Sequence, residues 1–170
     1  MRRVVTGHTQ DGKAVLVSDT EVDPILPSLG ISVLWGADGA PTFPDNGAPL
    51  PYSTYFPPVG GFRFGTFTLP PQSLVQSTDQ DVTEIFKEAN EKFPDILEHM
   101  EIDNPGMHTT DTIDFEYVIS GEVWLELDDG KEVHLKTGDT VVQNGTRHAW
   151  RNKGTEPCQM VVCLIGAHRG

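Results

Sequence analysis

Short apolar runs and stretches in which apolar and polar residues alternate with a period of two succeed one another along this chain, and Gly, Pro, Asp and Asn interrupt them at intervals. Short apolar runs at 3–6, 14–18 and 31–35 are each closed by such a residue and predict strands. Residues 62–69 alternate until Pro70-Pro71 stops them, which predicts another strand. From Gly106 onward the pattern is strand, turn, strand to the end. Within it two alternating runs flank Asp129-Gly130, a strong hairpin signal. One segment departs from period two. Val82, Ile85, Phe86, Ala89 and Phe93 recur at helical spacing behind Asp81 and Glu84, a capping arrangement, so a helix is predicted over 81–93. Pro94 ends or kinks it, and a further turn at 96–100 completes a helical insertion over about 81–100.

Residues 36–60 concentrate Gly and Pro among Phe43, Tyr52, Tyr55 and Phe56, a composition that suits an ordered loop and no regular ladder. Such a loop is either a functional cover or subunit contact, or packing over one end of the fold. The helical insertion is open to two readings as well, core closure or a substrate lid. No internal repeat is present, and 170 residues suit one core. The expected organisation is a single all-β domain over 1–170. It comprises N-terminal strands and aromatic loop (1–60), a strand and linker (61–80), the helical insertion (81–100) and a C-terminal strand region (106–166).

Charge narrows the partners. A net charge of −13 repels phosphate backbones and anionic membrane surfaces, so no nucleic-acid partner and no membrane partner is expected. No run approaches the ~18 apolar residues of a membrane span, and the opening Met-Arg-Arg-Val-Val-Thr-Gly is not a secretory signal, so a cytoplasmic protein is expected. Cys158 and Cys163 lie five apart in one strand-like run, which points them to opposite faces and disfavours a bond. Cys163 reads as a small core residue.

Chemistry concentrates in two short patterns. The first runs Met107-His108-Thr109-Thr110-Asp111-Thr112-Ile113-Asp114-Phe115-Glu116 and closes at Gly121; the second runs from Gly138 through Gln143, Gly145 and His148 to Asn152. Together they resemble the two motifs of the cupins, with His108, Thr110, Asp114 and Gly121 on the first and Gly138, Gly145, His148 and Asn152 on the second. The resemblance covers about residues 106–166. It departs from the pattern where Thr110 replaces a histidine, Asp114 shortens a glutamate, Gln143 replaces a proline and Ile102 stands at the leading glycine. It implies a cupin 2 type conserved barrel, that is, an all-β double-stranded β-helix of jelly-roll type, here with a strand-rich N-terminal extension. It also implies a metal set of His108, Asp114 and His148 for one divalent ion (Fe, Mn, Ni or Zn). A metal-free site stays open, because Thr110 is a weak ligand. Many small cupins pair through N-terminal strands, so a homodimer is expected, as is a small-molecule substrate.

Alternation adds a second carboxyl. If Asp114 points inward, Glu116 and Val118 do too, while Phe115 and Tyr117 face away. Two carboxyls in a partly dry barrel cannot both ionise easily, so one serves as an acid. Glu116, His148, His108 and Asp114 are the candidate catalytic residues; the alternative for Glu116 is solvation at the rim or a pair with Arg63 or Arg147. Trp150 shares the face of His148. With Thr110, Tyr52, Tyr55 and Phe64 it is a candidate for substrate contact. His8, His99, His134 and His168 read as surface or structural. Three functions remain in view. The first is acid/base chemistry (dehydration, isomerisation, cyclisation or decarboxylation) on a small organic, aromatic or polyketide-like substrate. The others are a non-haem iron dioxygenase and a non-catalytic small-molecule binding protein.

Overall fold

In the computed structural model, residues 1–27, 30–52, 54–75 and 88–170 are described. Ten strands follow one another: β1 (Arg2–His8), β2 (Ala14–Glu21), β3 (Ser32–Ala37), β4 (Phe62–Leu69), β5 (Thr112–Ser120), β6 (Glu122–Glu126), β7 (Glu132–Lys136), β8 (Thr140–Asn144), β9 (Ala149–Arg151) and β10 (Cys158–Gly166). Among the described residues between β4 and β5, α1 (Gln72–Val75) and α2 (Pro94–Glu98) are short helices. The first part of the expected 81–93 helix lies outside the described residues. Residues 88–92 are helical, the helix breaks at Phe93 and Pro94 opens α2, so the break at the proline expected from the sequence is present and the following turn runs over 94–98 rather than 96–100. Among the described residues no helix is long and apolar enough to cross a membrane.

The strands form a five-stranded sheet in the order β3-β4-β10-β5-β8 and a three-stranded sheet in the order β7-β6-β9, with β1 and β2 paired as a separate hairpin. All strand pairs are antiparallel. This is the double-stranded β-helix. Its core lies where Val118, Met160 and Cys158 of the larger sheet meet Val123, Leu125 and Leu135 of the smaller one. Cys158 is therefore the core thiol. Cys163 sits on the outward register beside Phe64 and Phe115, which reverses the expectation for it, and both cysteines are free.

Tight turns hold the strands in register. Asp129 and Gly130 both have positive φ, 58° and 67°, as a type I′ turn requires, and the Lys131 N–H closes it on the Asp128 carbonyl. Gly121 has φ 79°, and a Cβ there would sit 2.6 Å from the Pro157 carbonyl oxygen, so the turn into β6 admits only glycine.

The aromatic loop is tied down from two sides. The buried Arg63 guanidinium donates to the carbonyls of Thr54, Ala37 and Phe62 and to Asp38. The buried Asp95 carboxylate accepts the backbone N–H groups of Tyr55 (3.0 Å) and Phe56 (2.8 Å). These bonds bring loop and α2 together in a second apolar cluster of Leu26, Ile31, Phe93 and Ile96, against which Tyr52, Tyr55, Phe56 and Met100 pack. That cluster covers one end of the barrel.

Candidate active site

His108 and His148 are built as a pair by the backbone. Each donates its N–H to the other's carbonyl, at 2.9 and 3.0 Å, so the two residues stand directly opposite in an antiparallel bridge. Opposed residues project to the same face, and the imidazole centroids lie 4.2 Å apart. The Nδ1 atoms are engaged by carbonyls, His108 with Gly106 (3.0 Å) and His148 with Thr146 (2.9 Å). A carbonyl only accepts, so each Nδ1 carries the proton and each Nε2 keeps its lone pair. Burial, and for His148 the neighbouring His108 as well, lowers both pKa values, that of His148 to about 4. The pair is neutral at neutral pH.

β5 supplies the acids. Its burial alternates so that Thr112, Asp114, Glu116 and Val118 face inward while Phe115 and Tyr117 are exposed, the pattern expected from sequence. Asp114 is 4% and Glu116 6% exposed, and Asp114 Oδ1 and Glu116 Oε2 have no hydrogen-bond partner. Burial raises Asp114 to about 6 against an opposing effect of the Thr112 hydroxyl. Burial and then the Asp114 charge raise Glu116 well above the ordinary carboxyl range. Neither arginine considered as a partner for Glu116 reaches it: Arg63 pairs with Asp38, and Arg147 pairs with Glu101 and Asp128.

The four groups line one cavity of about 280 Å3, whose other walls include Ile31, Tyr55, Phe56, Phe67, Met100 and Trp150. Trp150 meets the His148 ring edge to face at 5.7 Å. Three expected substrate contacts lie elsewhere. Thr110 is buried with its hydroxyl 2.8 Å from that of Thr112, and it does not line the cavity. Tyr52 stacks on Phe93 and under the Arg63 guanidinium, on a separate small pocket. Phe64 is 42% exposed on the outer face, because the ladder turns Arg63, Gly65 and Phe67 of β4 inward with Leu164, Val162 and Met160 of β10. Phe67 is the wall residue that the same alternation would have named. Phe56 and Met100 come from loop and helix end, where no period marks a face.

The expected metal set is not assembled. Among the described residues no three His, Cys, Asp or Glu side chains converge closely enough to hold one ion. The ladder gives the reason. His108 and His148 face each other in their own bridge beside Met100, whereas Asp114 sits within the larger sheet between Gln143 and Leu164. The result is two imidazoles and two carboxyls, not a two-histidine, one-carboxylate triad.

The two-sheet barrel is the fold that the cupin resemblance implies. The Cupin domain family (Cupin_2) matches residues 98–164, so this stretch of the chain resembles a cupin domain. It is similar to phomopsin biosynthesis cluster protein C' of Diaporthe leptostromiformis, 51% identical over 47 residues, which are 28% of this chain and 25% of the relative. It is similar to oryzines biosynthesis cluster protein J of Aspergillus oryzae, 50% identical over 48 residues, 28% of this chain and 27% of that one. A third relative is the cupin-domain-containing oxidoreductase virC of Hypocrea virens, 37% identical over 62 residues, 35% of this chain and 32% of that one. The matched stretch spans about a quarter of the length of the first two relatives.

Proposed function

We propose that this protein is an enzyme that moves protons on a small organic molecule inside the barrel, as in a dehydration, isomerisation, cyclisation or decarboxylation. One observation carries the reading: a buried carboxyl, Glu116, shares a single largely apolar cavity with two paired imidazoles, and burial favours the protonated form of the first and the neutral form of the others. In this reading Glu116, whose burial favours the protonated form, is the donor, and the Nε2 atoms of His108 and His148 are the acceptors. Acid and base are thus present together before substrate arrives, each in its reactive form. In the proposed cycle Glu116 gives its proton to an oxygen of the substrate, and one imidazole takes a proton from a neighbouring position. The apolar walls keep water from short-circuiting the transfer. The names of two relatives, both proteins of biosynthesis clusters, support a role in assembling a small natural product.

The name of a third relative, an oxidoreductase, favours a second reading in which the cavity hosts a redox step. The two readings differ in mass balance. In the host, replacing the gene by its Glu116→Gln form and comparing extracts by mass spectrometry identifies the accumulating precursor. Under the proton-transfer reading precursor and product are isomers or differ by water or carbon dioxide. A difference of hydrogen pairs or oxygen atoms instead establishes the redox reading, and an unchanged extract removes Glu116 from the chemistry.

A further inference from the structure

The two histidines are held in the same way by different parts of the chain. In each case the carbonyl two residues before the ring accepts its Nδ1–H, Gly106 for His108 and Thr146 for His148. In each case an arginine takes the carbonyl one residue further back. Arg151 Nη1 donates to the Pro105 carbonyl at 2.6 Å, and Arg169 Nη2 donates to the Gly145 carbonyl at 3.1 Å. Arg151 ends β9 and Arg169 follows β10. Further bonds fix both side chains: Arg151 donates to Glu126 at 2.6 Å and to Asn104 Oδ1 at 3.1 Å, and Arg169 donates to Asp111 and to the Thr110 carbonyl, the latter at 2.8 Å. Both turns contain a glycine at positive φ, Gly106 at 83° and Gly145 at 58°, where the backbone has most freedom to rotate. A guanidinium lies directly on each: a Cβ on Gly106 would stand 3.2 Å from Arg151 Nη1, and one on Gly145 3.3 Å from Arg169 Nη2. The 100–108 segment has little else to hold it. Among the described residues its backbone bonds to the barrel only where His108 bridges to His148.

We propose that Arg151 and Arg169 are positioning residues, each fixing the tautomer of one histidine by holding the peptide next to the carbonyl that accepts its ring proton. Neither is among the described residues that line the cavity, so each acts through a turn and not on the substrate. The hydrogen bond made by one nitrogen of a neutral imidazole decides which nitrogen carries the proton. Here the bonded Nδ1 carries it, and both Nε2 atoms are left unprotonated. With the accepting carbonyl loose, the proton is free to sit on Nε2, and that ring no longer serves as a base. The use made of the Nε2 lone pairs rests on the proton-transfer reading; the two arginines are what sets them.

Long-range 1H–15N correlation spectra of the imidazoles at neutral pH report which ring nitrogen carries the proton, with no substrate present. Wild type should show Nδ1–H at both His108 and His148. Arg151→Met, which keeps the apolar stem and removes the donors, should lose that single form at His108 and keep it at His148. Arg169→Met should do the reverse. The crossed pattern separates positioning from general support of the fold, which would disturb both rings or neither. A wild-type spectrum with the proton on Nε2 of either ring, or on both nitrogens, overturns the proposal without any variant. So does a folded variant that leaves both rings as in wild type or disturbs both alike. Where one variant fails to fold, wild type and the other variant still decide. The tautomers are read without turnover, whereas the proton-transfer reading is judged from product masses, so the two fail separately.

Discussion

Gln143 lies directly across the β5–β8 ladder from Asp114, and each carries a buried polar atom with no partner, Nε2 on the one and Oδ1 on the other. The Gln143 carbonyl is already taken by the Thr146 hydroxyl, which fixes the amide. An acid thus sits beside a donor that does not reach it, and burial dominates its ionisation.

The folded-state pKa of Asp114, about 6, lies above the ordinary 3.8, so its ionisation opposes folding. The cost is absent below about pH 4, grows as pH rises toward 6 and is complete above it. Two units correspond to about 3 kcal/mol at most. Asp114→Asn should therefore raise unfolding free energy at pH 7 by up to that amount and change it little at pH 4. Urea denaturation at the two pH values reads the difference, and an equal effect at both would refute the assignment.

His148 acts in the opposite sense. Its folded pKa of about 4 lies below 6.5, so the neutral ring contributes stability that is present above about pH 6.5 and lost as pH falls through 4. Wild type should lose about 3 kcal/mol from this group across that window, and His148→Gln should not. The comparison uses the slope of stability against pH, which is insensitive to any packing defect in the variant.

Asp95 holds the aromatic loop over the cavity through two backbone N–H groups. Removing the carboxylate in Asp95→Ala should cost about 2–3 kcal/mol, as for charge-assisted bonds to a buried group. The loss should be local. Hydrogen exchange should accelerate at the amides of Tyr55 and Phe56 and remain unchanged at Val118 in the core.

The donors around the cavity do not converge on one point, so chelation should leave the protein as it is. Treatment with EDTA is expected to leave the melting temperature unchanged. A fall that one added divalent ion reverses would show that a metal assembles the site.

Much of this was legible in the sequence because β-structure writes itself in period two. The inward set Asp114, Glu116 and Val118 and the turn at Asp129-Gly130 follow from alternation and turn chemistry, whereas the direct opposition of His108 and His148 came from the structure. Phe64 was misplaced for a physical reason that alternation also contains. Arg63 turns inward to hold loop carbonyls, which sends the aromatic at 64 out. Thr110 and Tyr52 were misplaced because a residue's partner, Thr112 in one case and Phe93 with Arg63 in the other, is set by tertiary packing. The distance from Asp114 to the histidine pair was likewise invisible, since it depends on where the 100–108 segment crosses the barrel.

The central claim is that Glu116 is protonated at neutral pH opposite two neutral imidazoles. Infrared difference spectroscopy between wild type and Glu116→Gln at pH 7 tests it without a substrate. The expected result is a protonated-carboxyl band in wild type that vanishes in the variant. A wild-type spectrum with no such band, or one whose band persists in the variant, would contradict the account.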